Sequence, residues 1–474
     1  MIPPENNRIP EKVGTIHLVA VCGTAMGALA CMLKDMGYQV TGSDSNIYAP
    51  MSRFLEDKGI AINVGFDGDH LAYQPDLVII GNAVTRDNAE AVATERMGLC
   101  YCSMPQAVNR FAAAGKRQLL VAGTHGKTTT SALLAWILFS AGRDPSFIIG
   151  GILANFAGNY RSGAGDCIVI EADEYDTAFF DKGPKFLHYS PDAAILTSIE
   201  FDHADIYRDL AHVRHAFERF LSTIKPQSLL ISIDDDGEVI DLAGSAKCRR
   251  LAYGARADSH WRLGDVDIQA PFTRFRILKG GADYGMFRSR MIGMHNLKNA
   301  LAAVAVADEL GVAPEQIAAA LETFAGVKRR QEIRGTKRGI IVMDDFAHHP
   351  TAVKETLRAV KSYFADQRVV AVFEPRTHSS MRKVFQKDYA AVFDAADRIC
   401  IRKPALLKKV PEGERLSSLQ LVADLKKRGK DAFHFDDTQS IVDDLAESSR
   451  SGDVILVMSN GGFDNIHERL LDAL

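Results

Sequence analysis

A short apolar run, a glycine-rich turn and a helical segment follow one another directly and constrain this chain more than any other feature. Residues 119–122 (Leu-Leu-Val-Ala) predict a buried strand, residues 123–128 read Gly-Thr-His-Gly-Lys-Thr, and residues 131–141 predict a helix. Glycines in such a turn let backbone N–H groups approach phosphate oxygens, and the helix N-terminus favours negative charge. The segment therefore predicts a phosphate-binding loop within an α/β unit.

Two side chains of this loop suit nucleotide chemistry. Lys127 can reach the β- and γ-phosphates, and the Thr128 hydroxyl can bind Mg²⁺. The full pattern G-x-x-x-x-G-K-[ST] has glycine where this chain has Val121, so the prediction depends on the strand–turn–helix context, and a chance glycine–lysine turn is the alternative. The predicted ATP-binding residues of the loop are Gly123, Thr124, His125, Gly126, Lys127, Thr128 and Thr129.

The length and the alternation of apolar strands with helical segments predict several α/β domains. A chain of 474 residues is too long for one hydrophobic core. A polar stretch at 113–118 indicates a linker, and a third unit begins near residue 330. The fold class we predict is α/β in three domains. The domains are a Rossmann-like domain at 1–114, a central P-loop ATPase domain at 115–328 and a Rossmann-like domain at 329–474. Within the central domain we expect a β-rich insertion at 247–292.

Composition excludes several classes of function. The net charge is −4 and basic residues form no run, which argues against nucleic acid as the partner. The longest apolar stretch, near 132–139, is too short to cross a membrane, and the polar first 13 residues resemble neither a signal peptide nor an anchor. The seven scattered cysteines are typical of reduced thiols, so we expect a cytoplasmic protein.

A second glycine-rich turn, at 22–27, follows the first predicted strand, which spans 16–21. The turn reads Cys-Gly-Thr-Ala-Met-Gly, and Ser43-Asp44 lies further along the chain. A dinucleotide fingerprint would have glycine at Val21, so NAD is disfavoured and a cradle for another diphosphate is predicted. Glycines that only pack a tight turn are the alternative. The residues predicted for this ligand are Gly23, Thr24, Ala25, Met26, Gly27, Ser43 and Asp44.

Carboxylates follow the predicted strand at 167–170, in the run Glu-Ala-Asp-Glu-Tyr-Asp at 171–176. Mg²⁺ that bridges nucleotide phosphates usually takes one or two protein carboxylates. Glu171, directly at the strand end, is the predicted ligand, and a solvated acidic loop is the alternative. His203, after the predicted strand at 193–197, is a candidate for a second metal or for neutralising a carboxylate, and a structural histidine is the alternative.

Polar residues further along the chain complete the predicted nucleotide site. Asn296 and Asn299 lie three apart at the start of an apolar helix, where amides suit an adenine edge, and Asn296 could instead cap the helix. Arg330, in the pair Arg329-Arg330, could place its guanidinium on a γ-phosphate, and a solvated charge pair is the alternative. Asp345 ends a strand and could hold ribose hydroxyls.

Taken in order, these motifs resemble the Mur ligase family of ATP-dependent peptidoglycan amide synthetases over nearly the whole chain. The ordered set carries the resemblance, since no single motif is specific enough. It comprises the 23–27 loop with Ser43-Asp44, 123–128, 171–176, Asp202-His203, His295-Asn296 with Asn299, Arg330, Asp344-Asp345 and His348-His349-Pro350. The resemblance implies that the N-terminal domain binds UDP-N-acetylmuramate, that the central domain binds ATP and that the C-terminal domain closes over both.

Two branches of the family carry a loop and an acidic cluster of this kind. The branch that adds L-alanine usually has a more glycine-rich first loop, whereas the 22–27 loop here is more similar to the branch that adds the tripeptide L-Ala-γ-D-Glu-meso-diaminopimelate. The segments Phe-Glu-Pro-Arg at 373–376 and Ser-Asn-Gly-Gly-Phe at 459–463 are also similar to that branch. The resemblance thus implies that Arg376 and Asn460 bind the peptide.

The function implied is an ATP-dependent ligase with Mg²⁺ that joins the tripeptide to UDP-N-acetylmuramate through an acyl phosphate, in cell-wall peptide recycling. Lys127, His203 and Arg330 are its expected catalytic residues, and Thr128, Glu171 and His203 its expected metal ligands. Its partners would be small-molecule substrates. Two alternatives remain: ligation of L-alanine, and a non-catalytic sensor of a nucleotide sugar. Other members of the family carry a carbamylated lysine where this chain has Phe217.

Overall fold

The structure is a computed structural model that describes residues 4–474. It has three α/β domains, each built on a largely parallel sheet, so the predicted fold class is confirmed. The exact boundaries at 114/115 and 328/329 stay predictions. In the described part of the chain, no helix is long and apolar enough to cross a membrane.

The N-terminal domain contains an all-parallel sheet in the order β3-β2-β1-β4-β5. Strands such as β4 are buried at every residue, as expected when helices cover both faces of a parallel sheet. The strands are β1 Thr15–Val19, β2 Gln39–Asp44, β3 Ala61–Val64, β4 Leu77–Ile80 and β5 Tyr101–Ser103. The helices are α1 Thr24–Asp35, α2 Met51–Asp57, α3 Ala89–Arg96 and α4 Met104–Ala107. The strand order reverses between β2 and β4, beside β1, where ligands bind in sheets of this kind.

The central domain is built around a sheet in the order β17-β16-β15-β14-β13-β12-β6-β9-β7-β8, with β10 and β11 forming a separate hairpin. The strands are β6 Arg117–Ala122, β7 Ser146–Leu153, β8 Gly158–Arg161, β9 Cys167–Glu171, β10 Asp176–Ala178, β11 Asp181–Pro184, β12 Ala193–Leu196, β13 Leu229–Ile233, β14 Arg249–Gly254, β15 Trp261–Gln269, β16 Phe272–Lys279 and β17 Ala282–Ser289. The helices are α5 Lys127–Ser140, α6 Leu210–Thr223, α7 Gly237–Gly244, α8 Met294–Glu309 and α9 Pro314–Thr323.

Two expectations for the central domain differ from the structure. The β-rich content of 247–292 is confirmed, but its strands extend the central sheet, since β14 pairs in parallel with β13, and are not an insertion. Part of the expected linker at 113–118 is strand, because β6 already begins at Arg117. Arg117 and Gln118 are polar but pair with Cys167 and Ile168 of β9, and side-chain polarity does not reveal that backbone pairing.

The C-terminal domain has a sheet in the order β18-β19-β23-β20-β21-β22, in which only the β18–β19 pair is antiparallel. The strands are β18 Glu332–Lys337, β19 Ile340–Asp345, β20 Val369–Phe373, β21 Arg398–Arg402, β22 Ala432–Phe435 and β23 Val454–Met458. The helices are α10 Pro350–Tyr363, α11 Gln386–Tyr389, α12 Ser418–Lys427, α13 Thr438–Ser448 and α14 Ile466–Ala473.

The apolar cores show how tightly the domains are joined. One continuous cluster runs from the N-terminal sheet into the central sheet, from Ile16 to Val327. The C-terminal domain instead has separate clusters on the two faces of its sheet, and Ile292 and Phe201 of the central domain contact one of them. Its contacts with the central domain include polar ones, such as the bond that Thr351 donates to Glu200 over 2.6 Å. Polar contacts separate at lower cost than a shared core, so the C-terminal domain is the one best suited to move.

Candidate functional site

A cavity of about 510 Å³ lies where the phosphate loop of the central domain faces the C-terminal domain. The predicted ATP-binding residues that line it are Thr124, His125, Gly126, Lys127, Thr128, Thr129, Asn296, Asn299, Arg330 and Asp345. Glu171 and His203 line it as well, and Ala25 reaches it from the first glycine loop. Gly123, Arg376 and Asn460 are not among its lining residues. The sequence therefore identified residues that the fold brings to one place.

The phosphate loop has the backbone that its glycines predict. Gly126 has φ +81° and precedes α5 directly, so the helix begins at Lys127, earlier than expected. Gly123 has φ +131°, and a Cβ there would lie 2.1 Å from Thr197 Oγ1. A side chain fits neither position, so both glycines are required by the geometry of the loop.

Lys127 is buried and lies among carboxylates. Its Nζ donates to Glu174 Oε2 over 2.7 Å and to the Gly123 carbonyl over 2.5 Å. Burial alone would lower the pKa of Lys127, but the charges of Glu174 and Asp173 raise it. The lysine is therefore a permanent cation at the phosphate loop, with Glu174 as its partner in this state.

Thr128 and Glu171 form the pair expected for Mg²⁺. The Thr128 hydroxyl donates to Glu171 Oε1 over 2.9 Å, and the Gly150 N–H donates to Glu171 Oε2 over 2.7 Å. A carboxylate and a hydroxyl oxygen next to a phosphate loop are the ligand types that Mg²⁺ prefers, with phosphates and water completing its shell. The residues present thus fit the ion, and the assignment stays a prediction.

His203 lies beside Glu174 rather than Glu171. Its Nε2 is 3.4 Å from Glu174 Oε1, and Asp173 completes a group whose ligand atoms lie within 4.8 Å of one another. Burial would lower the pKa of His203, but Glu174 and Asp202 raise it to about 9, so the imidazole is protonated at neutral pH. His203 also has φ +53°, in the left-handed region that non-glycine residues seldom adopt. In this state it neutralises a carboxylate.

The two asparagines lie against the phosphate loop. Asn299 Nδ2 donates to Asn296 Oδ1 over 3.3 Å, and a Cβ on Gly126 would lie 2.5 Å from Asn299 Oδ1. The N-cap of α8 is Gly293, so the alternative that Asn296 caps this helix is wrong. Asn296 instead donates to the Ile292 carbonyl over 2.9 Å. Their part in adenine binding stays a prediction.

The adjacent arginines have different positions. Arg330 Nη2 lies 3.5 Å from Thr128 Oγ1, and its guanidinium stacks 4.9 Å from the centre of the Phe346 ring. Arg329 points into the C-terminal domain and donates to the Ser459 carbonyl over 2.6 Å. Only Arg330 lines the cavity, where a nucleotide phosphate would bind.

Asp345 is buried at the end of β19 and organises the backbone around the cavity. Its carboxylate accepts from the Gln331 N–H over 2.8 Å and from the Ala347 N–H over 2.7 Å. Burial raises its pKa despite these bonds and the nearby Arg330. Its bond to ribose stays a prediction.

The first glycine loop, at 22–27, lies at the switch point of the N-terminal sheet. Asp44 accepts from the Cys22 N–H over 2.9 Å and thereby holds the loop against β2. Ser43 is fully buried and donates to Glu90, a carboxylate that also contacts His17 and His70. Glu90 was not singled out in the sequence, because its partners are 20 to 73 residues away.

Arg376 and Asn460 follow neighbouring strands, β20 and β23, and lie near each other. A Cβ on Gly461 would be 2.1 Å from Arg376 Nε, so the guanidinium covers that glycine. Arg376 Nη1 is 3.5 Å from the buried carboxylate of Glu374. The buried Asn460 Oδ1 has no hydrogen-bond partner among the described residues. This pairing of a cation with an unused acceptor suits a ligand with carboxylate and amine groups.

Two cavity-site residues with contacts far along the chain received no role in the sequence analysis. They are Glu174, which pairs with Lys127, and Glu200, which contacts His125, His349 and Thr351. Glu174 belongs to the acidic run at 171–176, so the position of that run after a strand could have identified it as a site residue. Glu200 pairs with residues about 75 and 150 positions away, and local patterns do not predict such pairs.

Family models cover most of the chain. The model described as Mur ligase middle domain matches residues 121–307. That of the Mur ligase family catalytic domain matches residues 15–116, and that of the Mur ligase glutamate ligase domain matches residues 329–461.

Individual proteins are similar over nearly the full length. The UDP-N-acetylmuramate–L-alanyl-γ-D-glutamyl-meso-2,6-diaminoheptandioate ligase of Escherichia coli is 39% identical over 468 residues, covering 97% of this chain and 98% of the relative. The crystal structure of a murein peptide ligase from Psychrobacter arcticus covers 97% of this chain and 98% of its own, with 34% identity and a TM-score of 0.72. That of the UDP-N-acetylmuramate–alanine ligase from Thermotoga maritima covers the same shares, with 27% identity and a TM-score of 0.79.

Proposed function

Because this chain belongs to the Mur ligase family, we propose that it joins L-alanyl-γ-D-glutamyl-meso-diaminopimelate to UDP-N-acetylmuramate at the expense of ATP. The single observation that carries the choice of substrate is the full-length identity of 39% with a relative named for this tripeptide. Arg376 and Asn460 support it, because a peptide with several carboxylates and amines suits a guanidinium next to an unpaired amide oxygen.

The reaction we propose has two steps. The lactyl carboxylate of UDP-N-acetylmuramate attacks the γ-phosphorus of ATP and forms an acyl phosphate. The bond between the γ-phosphorus and the bridging oxygen breaks, and ADP leaves. The α-amine of the tripeptide then attacks the acyl carbon, loses a proton, and inorganic phosphate leaves. Both steps bring anions together, so the main demand on the protein is to neutralise charge.

The cations of the cavity meet that demand. When a nucleotide binds, the γ-phosphate can take the place of Glu174 as the acceptor of Lys127 Nζ, which lies at the start of α5. Arg330 lies next to the phosphate loop, with its Nη2 3.5 Å from the Thr128 hydroxyl. Protonated His203 keeps the released Glu174 neutralised, so the carboxylate does not repel the phosphates.

Mg²⁺ would be held by Thr128 and Glu171 next to the phosphate loop, and it would supply further charge neutralisation there. His203 is the candidate for an additional ligand only after it loses its proton. Phe217 is fully buried against Phe186, with ring centres 5.3 Å apart, so this chain offers no carbamate at that position.

Closure of the C-terminal domain would keep water from the acyl phosphate. Thr351 and His349 already touch Glu200 and the Phe201 carbonyl across the cavity. We also propose a cytoplasmic location, because all seven cysteines are unpaired, which fits a reducing compartment.

The decisive experiment measures phosphate release with ATP, Mg²⁺ and UDP-N-acetylmuramate, with either the tripeptide or L-alanine as amine. We expect a higher kcat/KM with the tripeptide, and Arg376→Ala should lower it mainly through a higher KM for the peptide. Equal or better turnover of L-alanine would reject the choice of substrate. Ligand binding without any amine-dependent phosphate release would favour a sensor.

Ligation of L-alanine is the second candidate because a specific observation favours it. The TM-score of 0.79 with an alanine ligase exceeds the 0.72 found with a murein peptide ligase. Overall superposition depends on domain orientation as well as on the site, so we give more weight to sequence identity, which is higher with the tripeptide-named protein.

A further inference from the structure

Two histidines and a glutamate converge where the phosphate loop meets the C-terminal domain. His125 belongs to the loop, Glu200 follows β12, and His349 precedes α10. One nitrogen of each ring and one carboxylate oxygen lie within 4.8 Å of one another. The His125 and His349 rings are 4.7 Å apart between centroids. The two chemical steps proposed above assign no role to these three side chains.

The distances from the Glu200 carboxylate oxygen to the two histidine nitrogens match a tetrahedral metal site. His125 Nε2 is 3.3 Å from Glu200 Oε2, and His349 Nδ1 is 3.5 Å from the same oxygen. Two ligands each about 2.0–2.1 Å from a tetrahedral zinc ion are about 3.3 Å apart. The atoms therefore need little movement to surround an ion.

The outer contacts orient these ligands as a metal site requires. His349 Nε2 donates to the Phe201 carbonyl over 3.1 Å, so Nδ1 is the unprotonated nitrogen and lies 3.5 Å from Glu200 Oε2. Nδ1 accepts from the Thr351 N–H over 3.3 Å, and a bound ion would replace that bond. Ligating histidines commonly donate their second nitrogen to a carbonyl in this way. The Thr351 hydroxyl donates to Glu200 Oε2 over 2.6 Å and fixes the carboxylate.

The His125 proton must move for the ion to bind. His125 Nε2 lies 3.3 Å from Glu200 Oε2 and donates to it when Nε2 carries the proton, since an ionised carboxylate only accepts. His125 would ligate through Nε2 with its proton on Nδ1, and the ion would take the place of the His125–Glu200 bond.

We propose that His125, Glu200 and His349 form a binding site for Zn²⁺ that joins the central and C-terminal domains. Nitrogen-rich sites favour zinc over Mg²⁺, which prefers oxygen ligands and keeps its waters. The site is therefore distinct from Thr128 and Glu171. Bound zinc would hold the C-terminal domain against the phosphate loop and would inhibit turnover, and added Mg²⁺ would not reverse this inhibition.

The test is zinc binding by the full-length, nucleotide-free protein, measured with ZnCl₂ against a chromophoric chelator. We expect one high-affinity ion per chain, with X-ray absorption showing nitrogen and oxygen neighbours at about 2.0–2.1 Å and imidazole scattering. His125→Asn, Glu200→Gln and His349→Asn should each weaken binding on the order of 100-fold, since loss of an outer-shell partner alone costs roughly 10–100-fold. Asparagine at 349 retains an acceptor for the Thr351 N–H, so α10 stays capped.

Two control variants locate the ion. His215→Ala removes an exposed histidine that lies 3.4 Å from Glu218 and should leave the affinity unchanged. His203→Ala tests the group of Asp173, Glu174 and His203, the other candidate cluster among the described residues. A loss of affinity in His203→Ala with none in His349→Asn would overturn the proposal, and so would equal affinity in wild type and all three site variants.

Discussion

The two glycine loops, at 22–27 and 123–128, are built alike but have different surroundings. Each follows a buried parallel strand and leads into a helix, α1 or α5. Around the first loop the nearest charged contact is Asp44, bound to the Cys22 N–H. Around the second lie Lys127, Glu171, Glu174 and His203.

This difference separates holding a diphosphate from transferring a phosphoryl group. Backbone N–H groups and a helix N-terminus are sufficient to bind phosphate oxygens. Transfer also requires cations where negative charge develops, and carboxylates that hold those cations and Mg²⁺ in place. The first loop therefore has the backbone groups of a binding site, and the second also has the cations and carboxylates of a reaction centre. Removing features of each loop by mutation tests the distinction.

Lys127→Ala should have the largest effect. Removing one preorganised cation typically costs about 10²–10³ in kcat, and the proposed transfer step depends on this lysine. Affinity for UDP-N-acetylmuramate, measured by calorimetry without ATP, should remain at the wild-type value because the sugar nucleotide is assigned to the first loop.

A matched control is Lys182→Ala, which removes an exposed lysine that lies 3.3 Å from Asp176. It should leave kcat unchanged. If Lys127→Ala abolished binding of the sugar nucleotide, the assignment of this ligand to the first loop and of ATP to the second would be wrong.

Glu171→Gln should raise the Mg²⁺ concentration needed for half-maximal turnover on the order of tenfold or more, since the carboxylate is the expected ligand. The amide can still bond to the Thr128 hydroxyl and the Gly150 N–H, so the change removes charge and little structure. Titration of Mg²⁺ at saturating ATP gives the result, with Glu218→Gln as control. An unaltered Mg²⁺ requirement would show that Glu171 is not a metal ligand.

The contrast between the loops was only partly predictable from sequence. The strands predicted at 119–122, 167–170 and 193–197 agree with β6, β9 and β12 to within two residues at each end, because runs of buried apolar residues mark parallel strands. Lys127, Thr128 and Glu171 were also recognised, since their roles follow from position at strand and helix ends.

Partners distant in sequence were not predictable. Glu90 bonds Ser43 from 47 residues away, and Glu200 bonds Thr351 from 151 residues away. Such pairs depend on which loops face each other after the sheets and domains have packed. The start of α5 was predicted four residues late because three threonines, which favour strands, follow Lys127.

Glu90→Gln tests whether the first loop acts as a binding site only. Glu90 accepts from Ser43 and lies 2.6 Å from His70 Nδ1, and an amide cannot accept at both of its ends. The displaced Ser43 adjoins Asp44, which holds the loop, so the Kd for UDP-N-acetylmuramate should rise by about tenfold, equivalent to about 1.4 kcal/mol. The KM for ATP should not change, and Glu56→Gln, at an exposed site on α2, is the control.

The same variant has a predicted pH dependence. Burial would raise the pKa of Glu90, but its bonds with His17, Ser43 and His70 lower it below the usual value of 4.5 for a glutamate. A lowered pKa stabilises the folded state above pH 4.5, and this contribution is lost as the pH falls. The Tm difference between wild type and Glu90→Gln should therefore be largest at neutral pH and should shrink below pH 4.5. A difference independent of pH would show that Glu90 acts without its charge.

Asn159→Ala should have the smallest effect and tests whether the two loops are coupled. Asn159 lies on β8 of the central domain, and its Nδ2 donates to the Thr24 carbonyl of the first loop over 3.0 Å. Loss of one such bond costs about 1 kcal/mol, so the Kd for UDP-N-acetylmuramate should rise about fivefold. Asn155→Ala is the matched control, because Asn155 bonds only to Thr323 and Ala325 within the central domain. If both variants weaken sugar-nucleotide binding equally, the effect comes from the central domain as a whole, and the Asn159–Thr24 bond does not position the first loop.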